Sequence, residues 1–384
     1  MVELSSTSPP LIVDIHTHLY PPSYIDLLSS RKKVPYIHKP PDGSEPRLII
    51  LPSDDDASKP PESRGRPIDS SYSSLDVKRA FMTQHNITIS VISLANPWLD
   101  FLEPSIAPEI ARTINDDLEI SCANFNKSSF STSNTAHKLY AFGTLPLSAP
   151  PAQVTAEISR IKSLPRIKGV IMGTTGLGAG LDDPGLDPIY SALESTSTLI
   201  FLHPHYGLPA TSFGGDATLS RTGHVLPLAL GFPLETTIAI TRAFLSGIFD
   251  KFPNLQILLA HSGGTLPFLA GRIQSCVAHE REFTANGGDK PGPERDIWDV
   301  LKTNIYLDAV IYGEPGLKAA VDASSHDRVM FGTDHPFFPP LKDRGGRWES
   351  VDTNLKAIEG AIWSERVTRG ILGGNAIRVL GLEV

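Results

Sequence analysis

Cysteine is scarce in this chain. Cys122 and Cys276 are the only two in 384 residues, and neither lies in a Cys-x-x-Cys pattern. A disulfide framework is therefore not expected, and two buried thiols in a reducing compartment are. Basic charge is in deficit as well: 34 Lys+Arg against 42 Asp+Glu give a net charge of -8, with no basic stripe. That balance argues against a nucleic-acid partner. No run of about 18 apolar residues occurs, so no membrane span is expected. The opening MVELSSTSPP lacks the basic n-region and apolar core of a secretory leader. A soluble, cytoplasmic protein is the expectation. A phosphate-cradling glycine loop is lacking too, because GLGAGLDD (176–183) does not fit G-x-G-x-x-G and reads as a flexible loop.

What is present is enough apolar residue, 40%, to build a sizeable core. It is distributed in short runs: LIVDI (11–15), TISVISL (88–94), LYAFGTLPL (139–147), GVIMGT (169–174), TLIFLH (198–203), LQILLAH (255–261), IYLDAV (305–310) and RVMFGT (328–333). Near-continuous apolar runs of this length suit strands buried on both faces, as in parallel sheets. Between them, 151–164, 235–249 and 264–282 repeat apolar residues at helical spacing. Eight strands alternating with helices predict an α/β fold of (β/α)8 barrel type, in preference to an open doubly wound sheet. Residues 30–75, rich in Pro, Ser and Asp, interrupt the rhythm and read as a long insertion after strand 1, with RLIIL (47–51) as a short extra strand. Residues 1–8 read as a disordered tail and 9–384 as one domain without internal repeats.

The runs end in chemistry. His16 and His18 close the first, two residues apart and so on one side of a strand. His203 closes the fifth, His261 the sixth, and Asp334 follows the eighth in FGTDHPFF. Each alone has a plain structural explanation: a buried hydrogen-bonded histidine, or a carboxylate capping a helix. Together they fall at strand C-terminal ends, where barrel active sites are built. Imidazole and carboxylate are natural ligands for zinc and similar divalent ions.

These placements resemble the amidohydrolase superfamily, whose barrels carry His-x-His on strand 1, His on strands 5 and 6 and Asp on strand 8. Strand 4 departs from the many binuclear members, with Met172 and Gly173 where a carbamylated lysine would stand. One metal is therefore expected. HTHLYPPSY, SLANPW, LHPHYG, GHVLPLALGFPLETT, LAHSGGTLPFLAGRI and FGTDHPFFPP narrow the resemblance to the decarboxylating branch, which holds aminocarboxymuconate semialdehyde, hydroxybenzoate and fungal isoorotate decarboxylases. The similarity runs nearly end to end and is greatest toward the isoorotate enzymes.

The resemblance implies a metal-dependent carboxy-lyase acting on a small cyclic carboxylate, with isoorotate giving uracil and CO2. It implies His16, His18, His203 and Asp334 as ligands of one divalent ion, zinc in first place, with Mn2+ or Mg2+ as alternatives. Asp334 would protonate the ring carbon and His261 would be its partner. Arg66 in SRGRP, Asn96 in SLANPW, His224 and Phe337 are the implied substrate contacts, with Arg64 competing for the role of Arg66. His205 and His335 adjoin ligands but should point elsewhere by strand alternation. A homodimer or higher homo-oligomer is expected. The competing readings are a hydroxybenzoate decarboxylase, a metal-dependent hydrolase of an amide, lactone or ester, and a catalytically silent barrel.

Overall fold

The apolar runs become strands. The computed structural model describes residues 9–56, 58, 60, 64–128, 136–284, 292–342, 345–361 and 363–384. The expected tail, residues 1–8, lies outside the described residues. Eight strands pair in parallel in chain order. They are β1 (Val13–His18), β2 (Ile89–Ser93), β3 (Lys138–Thr144), β4 (Ile167–Gly173), β5 (Ile200–His203), β6 (Ile257–Leu259), β7 (Ile305–Asp308) and β8 (Val329–Met330). Every residue of β1 and β2 is buried, as expected of strands covered on both faces.

The barrel closes by an irregular seam. β8 is only two residues long. The chain after it nevertheless continues along β1. Ile15 N donates to Phe331 O at 3.1 Å, Thr333 N and Asp334 N donate to His16 O at 3.1 and 2.7 Å, and His18 N donates to His335 O at 2.7 Å. The (β/α)8 closure thus lays Asp334 directly against the His-x-His strand. A bulge lies in β1 itself, where the register with β2 shifts between Asp14 and Thr17. Bulges of this kind re-aim side chains beside active sites.

Helices cover the strands. Pro151–Ile161 starts at a proline, whose fixed φ suits a first turn, and buries Val154, Ile158 and Ile161 at helical spacing. A hydrophobic cluster runs from Val13 to Leu382. Each buried Val, Leu or Ile in it contributes roughly 1.5–3 kcal/mol, so the strand ends stand on a rigid base. By length and composition one helical stretch, Pro227–Leu245, could cross a membrane. Its charged residues serve barrel loops: Glu235 accepts from His205 N at 2.9 Å and from Gly207 N and the Thr174 hydroxyl, and Arg242 pairs with Asp182 of the GLGAGLDD loop at 2.7 Å.

The insertion has structure of its own. After helix Pro22–Ser30, strands Tyr36–His38, Arg47–Ile49 and Arg66–Pro67 form an antiparallel sheet with Arg47–Ile49 in the middle. RLIIL therefore supplies the central strand. Gly65 is required there: its φ is +56°, and a Cβ would fall 2.3 Å from Leu48 O. Arg47 donates to Arg64 O at 2.5 Å and to Gly65 O at 2.8 Å. These bonds fix the turn that delivers Arg66.

Candidate metal centre

Alternation along β1 turns both imidazoles to one side, and the seam brings Asp334 to meet them. Asp334 Oδ1 lies 3.3 Å from His16 Nε2 and 3.4 Å from His18 Nε2. His203, at the end of β5, places its ring centroid 5.2 Å from those of both His16 and His18. One ligand atom from each of His16, His18, His203 and Asp334 lies within 4.8 Å of the other three, and all four residues are buried.

The hydrogen bonds show which ring atoms are committed. His16 Nδ1 bonds Asp308 Oδ2 at 2.6 Å, His18 Nδ1 bonds Ser93 Oγ at 3.1 Å, and His203 Nδ1 donates to Pro204 O at 2.8 Å. The three Nε2 atoms are buried and have no hydrogen-bond partner. Leaving one such atom unsatisfied costs about 1–3 kcal/mol. Three of them aimed at one carboxylate is a costly arrangement that a divalent ion would relieve. Ligand histidines ordinarily hold their second nitrogen in just such a bond. The donor set, three imidazoles and a carboxylate, is one that would hold a divalent ion such as zinc.

The electrostatics divide the set: His18 and His203 are held neutral, whereas His16 is held protonated, and an ion at its Nε2 would have to displace that hydrogen. Burial pushes His16 down, but Asp334 and Asp308 outweigh it and hold the imidazole up at about 10. Burial takes His18 down to about 4 and His203 well below its ordinary value. Burial would raise Asp334, yet His16 and the other imidazoles hold it well below the usual carboxylate range. Asp334 is thus an anion among imidazoles, and a role as acid requires a proton to be brought to it.

His261 is the neighbour that could bring one. Its Nε2 is 3.6 Å from Asp334 Oδ2, and its ring centroid is 5.0 Å from that of His16. His261, Ser262 and Asp334 all have positive φ, at 52°, 51° and 59°. Such backbone costs of order 1–3 kcal/mol per residue and persists where surrounding bonds enforce it. Asp308 supplies those bonds for the first two, accepting from His261 N at 2.9 Å and Ser262 N at 2.7 Å. Sequence reasoning missed Asp308, because in IYLDAV it is followed by Ala309 and Val310 and reads as the interior of an apolar run, unlike His203, which closes its own.

The end of β4 explains the missing lysine. A Cβ on Gly173 would lie 2.6 Å from the Trp98 ring and 2.8 Å from His205 Nδ1. The space from which a bridging side chain would rise is filled by aromatic rings.

The expected substrate contacts divide. Arg66 donates from Nη2 to Tyr20 Oη at 2.8 Å and to Asn96 O at 3.0 Å, and its guanidinium lies 4.8 Å from the Phe337 ring centroid. Phe337 in turn stands edge-on to His18 at 5.5 Å, so Arg66 and Phe337 border the cluster. Arg64 is committed elsewhere, paired with Asp55 at 2.7 Å. Asn96 is buried and donates one amide N–H to His205 O. His224 is not brought in: it is exposed beyond the short helix Asp216–Thr222, and among the described residues no side-chain contact ties it to the cluster. Glycines with positive φ at 214, 215 and 223 let that segment run over the surface. His205 turns away to Thr175 Oγ1 at 2.5 Å and Asp100 at 3.1 Å, and His335 packs against Phe81 at 3.8 Å.

Comparison with known proteins accords with this geometry. The sequence model of the Amidohydrolase family matches residues 13–382. The chain belongs to that family. A solved relative of the same architecture, the apo form of Metarhizium anisopliae IDCase, is 51% identical, covers 98% of this chain and 99% of its own, and superposes with a TM-score of 0.88. The 2-amino-3-carboxymuconate-6-semialdehyde decarboxylase of Dictyostelium discoideum is 27% identical, over 83% of this chain and 79% of its own length. The gamma-resorcylate decarboxylase of Rhizobium radiobacter is 29% identical, over 73% and 82%. This amidohydrolase barrel therefore carries its unpaired imidazoles at the strand ends where barrel enzymes place their chemistry.

Proposed function

We propose that this amidohydrolase is a metal-dependent, non-oxidative decarboxylase of cyclic carboxylic acids, and that its substrate is isoorotate, uracil-5-carboxylate. The carrying observation is the convergence of three unpaired Nε2 atoms on Asp334, in a chain 51% identical over 98% of its length to an isoorotate decarboxylase. His16, His18, His203 and Asp334 would hold one divalent ion, zinc in first place and Mn2+ or Mg2+ next. When bound, the ion supplies Lewis acidity to the substrate carboxylate and the adjoining ring oxygen.

The residues divide the remaining work. Arg66 holds the ring by charge-assisted hydrogen bonds, kept in place by Tyr20 and Asn96. Phe337 stacks on the flat ring, and the second amide N–H of Asn96 faces its edge. Direct loss of CO2 from an sp2 carbon would leave a poorly stabilised anion, so protonation comes first. Asp334 transfers its proton to C5, forming the C–H bond. The C5–carboxylate bond then breaks, its electron pair returns to the ring, and CO2 leaves. His261 returns a proton to Asp334 for the next turnover.

Self-association into a homodimer belongs to the same reading. Ile238, Leu245 and Phe268 are exposed large apolar residues on two helices, Phe232–Leu245 and Leu266–Thr284, and the Thr237 hydroxyl of the first lies 3.0 Å from that of Thr265, the residue preceding the second. Light scattering of the purified chain should give twice the chain mass.

The test of function is incubation of metal-loaded protein with isoorotate, following uracil. Uracil formation that stops with a chelator and returns with metal is the expected result. Turnover of gamma-resorcylate without uracil would move the substrate to the hydroxybenzoate class. Turnover that survives full metal removal would rule out the metal mechanism.

A further inference from the structure

Asp308 ends β7 and is fully buried, and four hydrogens converge on its carboxylate. Oδ2 lies 2.6 Å from His16 Nδ1 and accepts from His261 N at 2.9 Å. Oδ1 accepts from Ser262 N at 2.7 Å and Val310 N at 3.0 Å. The backbone oxygen of Asp308 also accepts from Ser262 Oγ at 2.6 Å. Three of the four side-chain partners are backbone N–H groups, which can only donate. Beside such an acceptor, His16 keeps its hydrogen on Nδ1, which leaves Nε2, the atom turned to Asp334, as the nitrogen open to a metal. The two bonds to His261 and Ser262 also brace consecutive residues in left-handed backbone, a conformation neither side chain favours.

We infer that Asp308 is a positioning residue with two outputs: it fixes the tautomer of His16 that can ligate a metal, and it holds the turn that presents His261 to Asp334. The inference rests on the proposal that His16 ligates an ion. It adds that the ligand and the proton partner, 245 positions apart in sequence by their numbers (261 − 16), are set by one carboxylate.

Asp308→Asn is the informative variant, because it keeps the shape and spoils the pattern. Whichever way the amide turns, its nitrogen faces two donors. Turned toward Ser262 and Val310, it opposes two backbone N–H groups. Turned toward His16, it drives the hydrogen from Nδ1 to Nε2 and removes the ligating lone pair. Zn2+ affinity, measured by chelator competition, should fall roughly 10- to 100-fold, the usual effect of losing a carboxylate behind a metal-bound histidine. In 15N NMR of the metal-free variant, His16 should carry its hydrogen on Nε2. A lower Tm with unchanged Zn2+ affinity would mean a merely structural role and overturns the inference. If the variant does not fold, 15N NMR of the Zn2+-loaded wild-type chain decides: a His16 Nδ1 hydrogen supports it and a bare Nδ1 overturns it. A wild-type chain that binds no Zn2+ refutes the metal proposal itself, whereas equal binding by wild type and Asp308→Asn refutes only the inference about Asp308.

Discussion

His16 and His18 on one side of β1, and Asp14 and Thr17 turned toward helix Leu75–Gln84, are all buried, yet their polar atoms are treated differently. On the helix side the side chains of Asp14 and Thr17 are fully paired, although His335, packed on Phe81 beside them, keeps both ring nitrogens without a partner. Asp14 accepts from Thr333 Oγ1 at 2.8 Å and from Thr333 N at 3.1 Å, while Thr17 donates to His335 O at 3.2 Å and accepts from the fully buried Lys78 ammonium. On the other side one nitrogen of each imidazole is paired and the other is not. A buried polar group with all its partners holds a fold together, as Asp14 and Thr17 tie β1 to the seam. A buried group with one atom left over, aimed at others like it, is built for a ligand. The bulge between Asp14 and Thr17 lets one six-residue strand serve both ends.

Perturbations on the two sides should therefore separate. The largest effect is expected from Asp334→Asn, which removes the carboxylate that the imidazoles face. Turnover should fall by roughly 10²- to 10⁴-fold, the range typical of losing a positioned acid, measured as kcat on metal-saturated protein. A near-normal rate would remove Asp334 from the proton-donor role. Next comes Arg66→Lys, which loses the planar fork bonded to Tyr20 and Asn96. At about 1.5–3 kcal/mol for a charge-assisted bond, KM should rise roughly 10- to 100-fold with a smaller change in kcat. Ser93→Ala removes the partner of His18 Nδ1. Metal affinity should drop about tenfold, with little change in the Tm of metal-free protein.

On the helix side the expected signature is reversed. Burial pulls Lys78 from 10.5 down to about 8. Between those two values the unfolded chain holds a proton that the native lysine has released, so the wild-type chain gains stability from this site as pH rises through that window. Below it, the cost of burying the ammonium is present in full. Lys78→Met should lack that gain, a difference on the order of 3 kcal/mol at most, read by denaturant unfolding at the two ends of the window. Its metal affinity should match wild type. A strong loss of metal with no change in the pH profile would erase the distinction between the two sides of β1.

Much of the site is legible in the sequence because strand geometry is periodic. His16 and His18 share a side of β1, His203 ends β5, and His261 follows β6 in a turn of left-handed backbone, so all four meet at one rim. What was hidden depended on pairings across long separations. RVMFGT reads as a strand of ordinary length, but only Val329–Met330 pair with β7, and the rest becomes the seam that seats Asp334. Asp308 sits in a run that reads as core, and its partners His16 and His261 lie 292 and 47 residues away. His224 follows a stretch of glycines, where no period fixes direction, and it lies on the surface. Arg64 competes with Arg66 in the sequence because the two stand two residues apart in one loop. The turn at Gly65, held by Arg47, separates them, sending Arg64 to Asp55 and Arg66 to the rim.

The measurement that bears most directly on the central claim is the metal content of the purified chain by elemental analysis, wild type beside His203→Ala. One divalent ion per wild-type chain, and far less than one in His203→Ala, is the expected result. Two ions per chain, none in active wild-type protein, or full occupancy in His203→Ala would contradict a single ion held by His16, His18, His203 and Asp334.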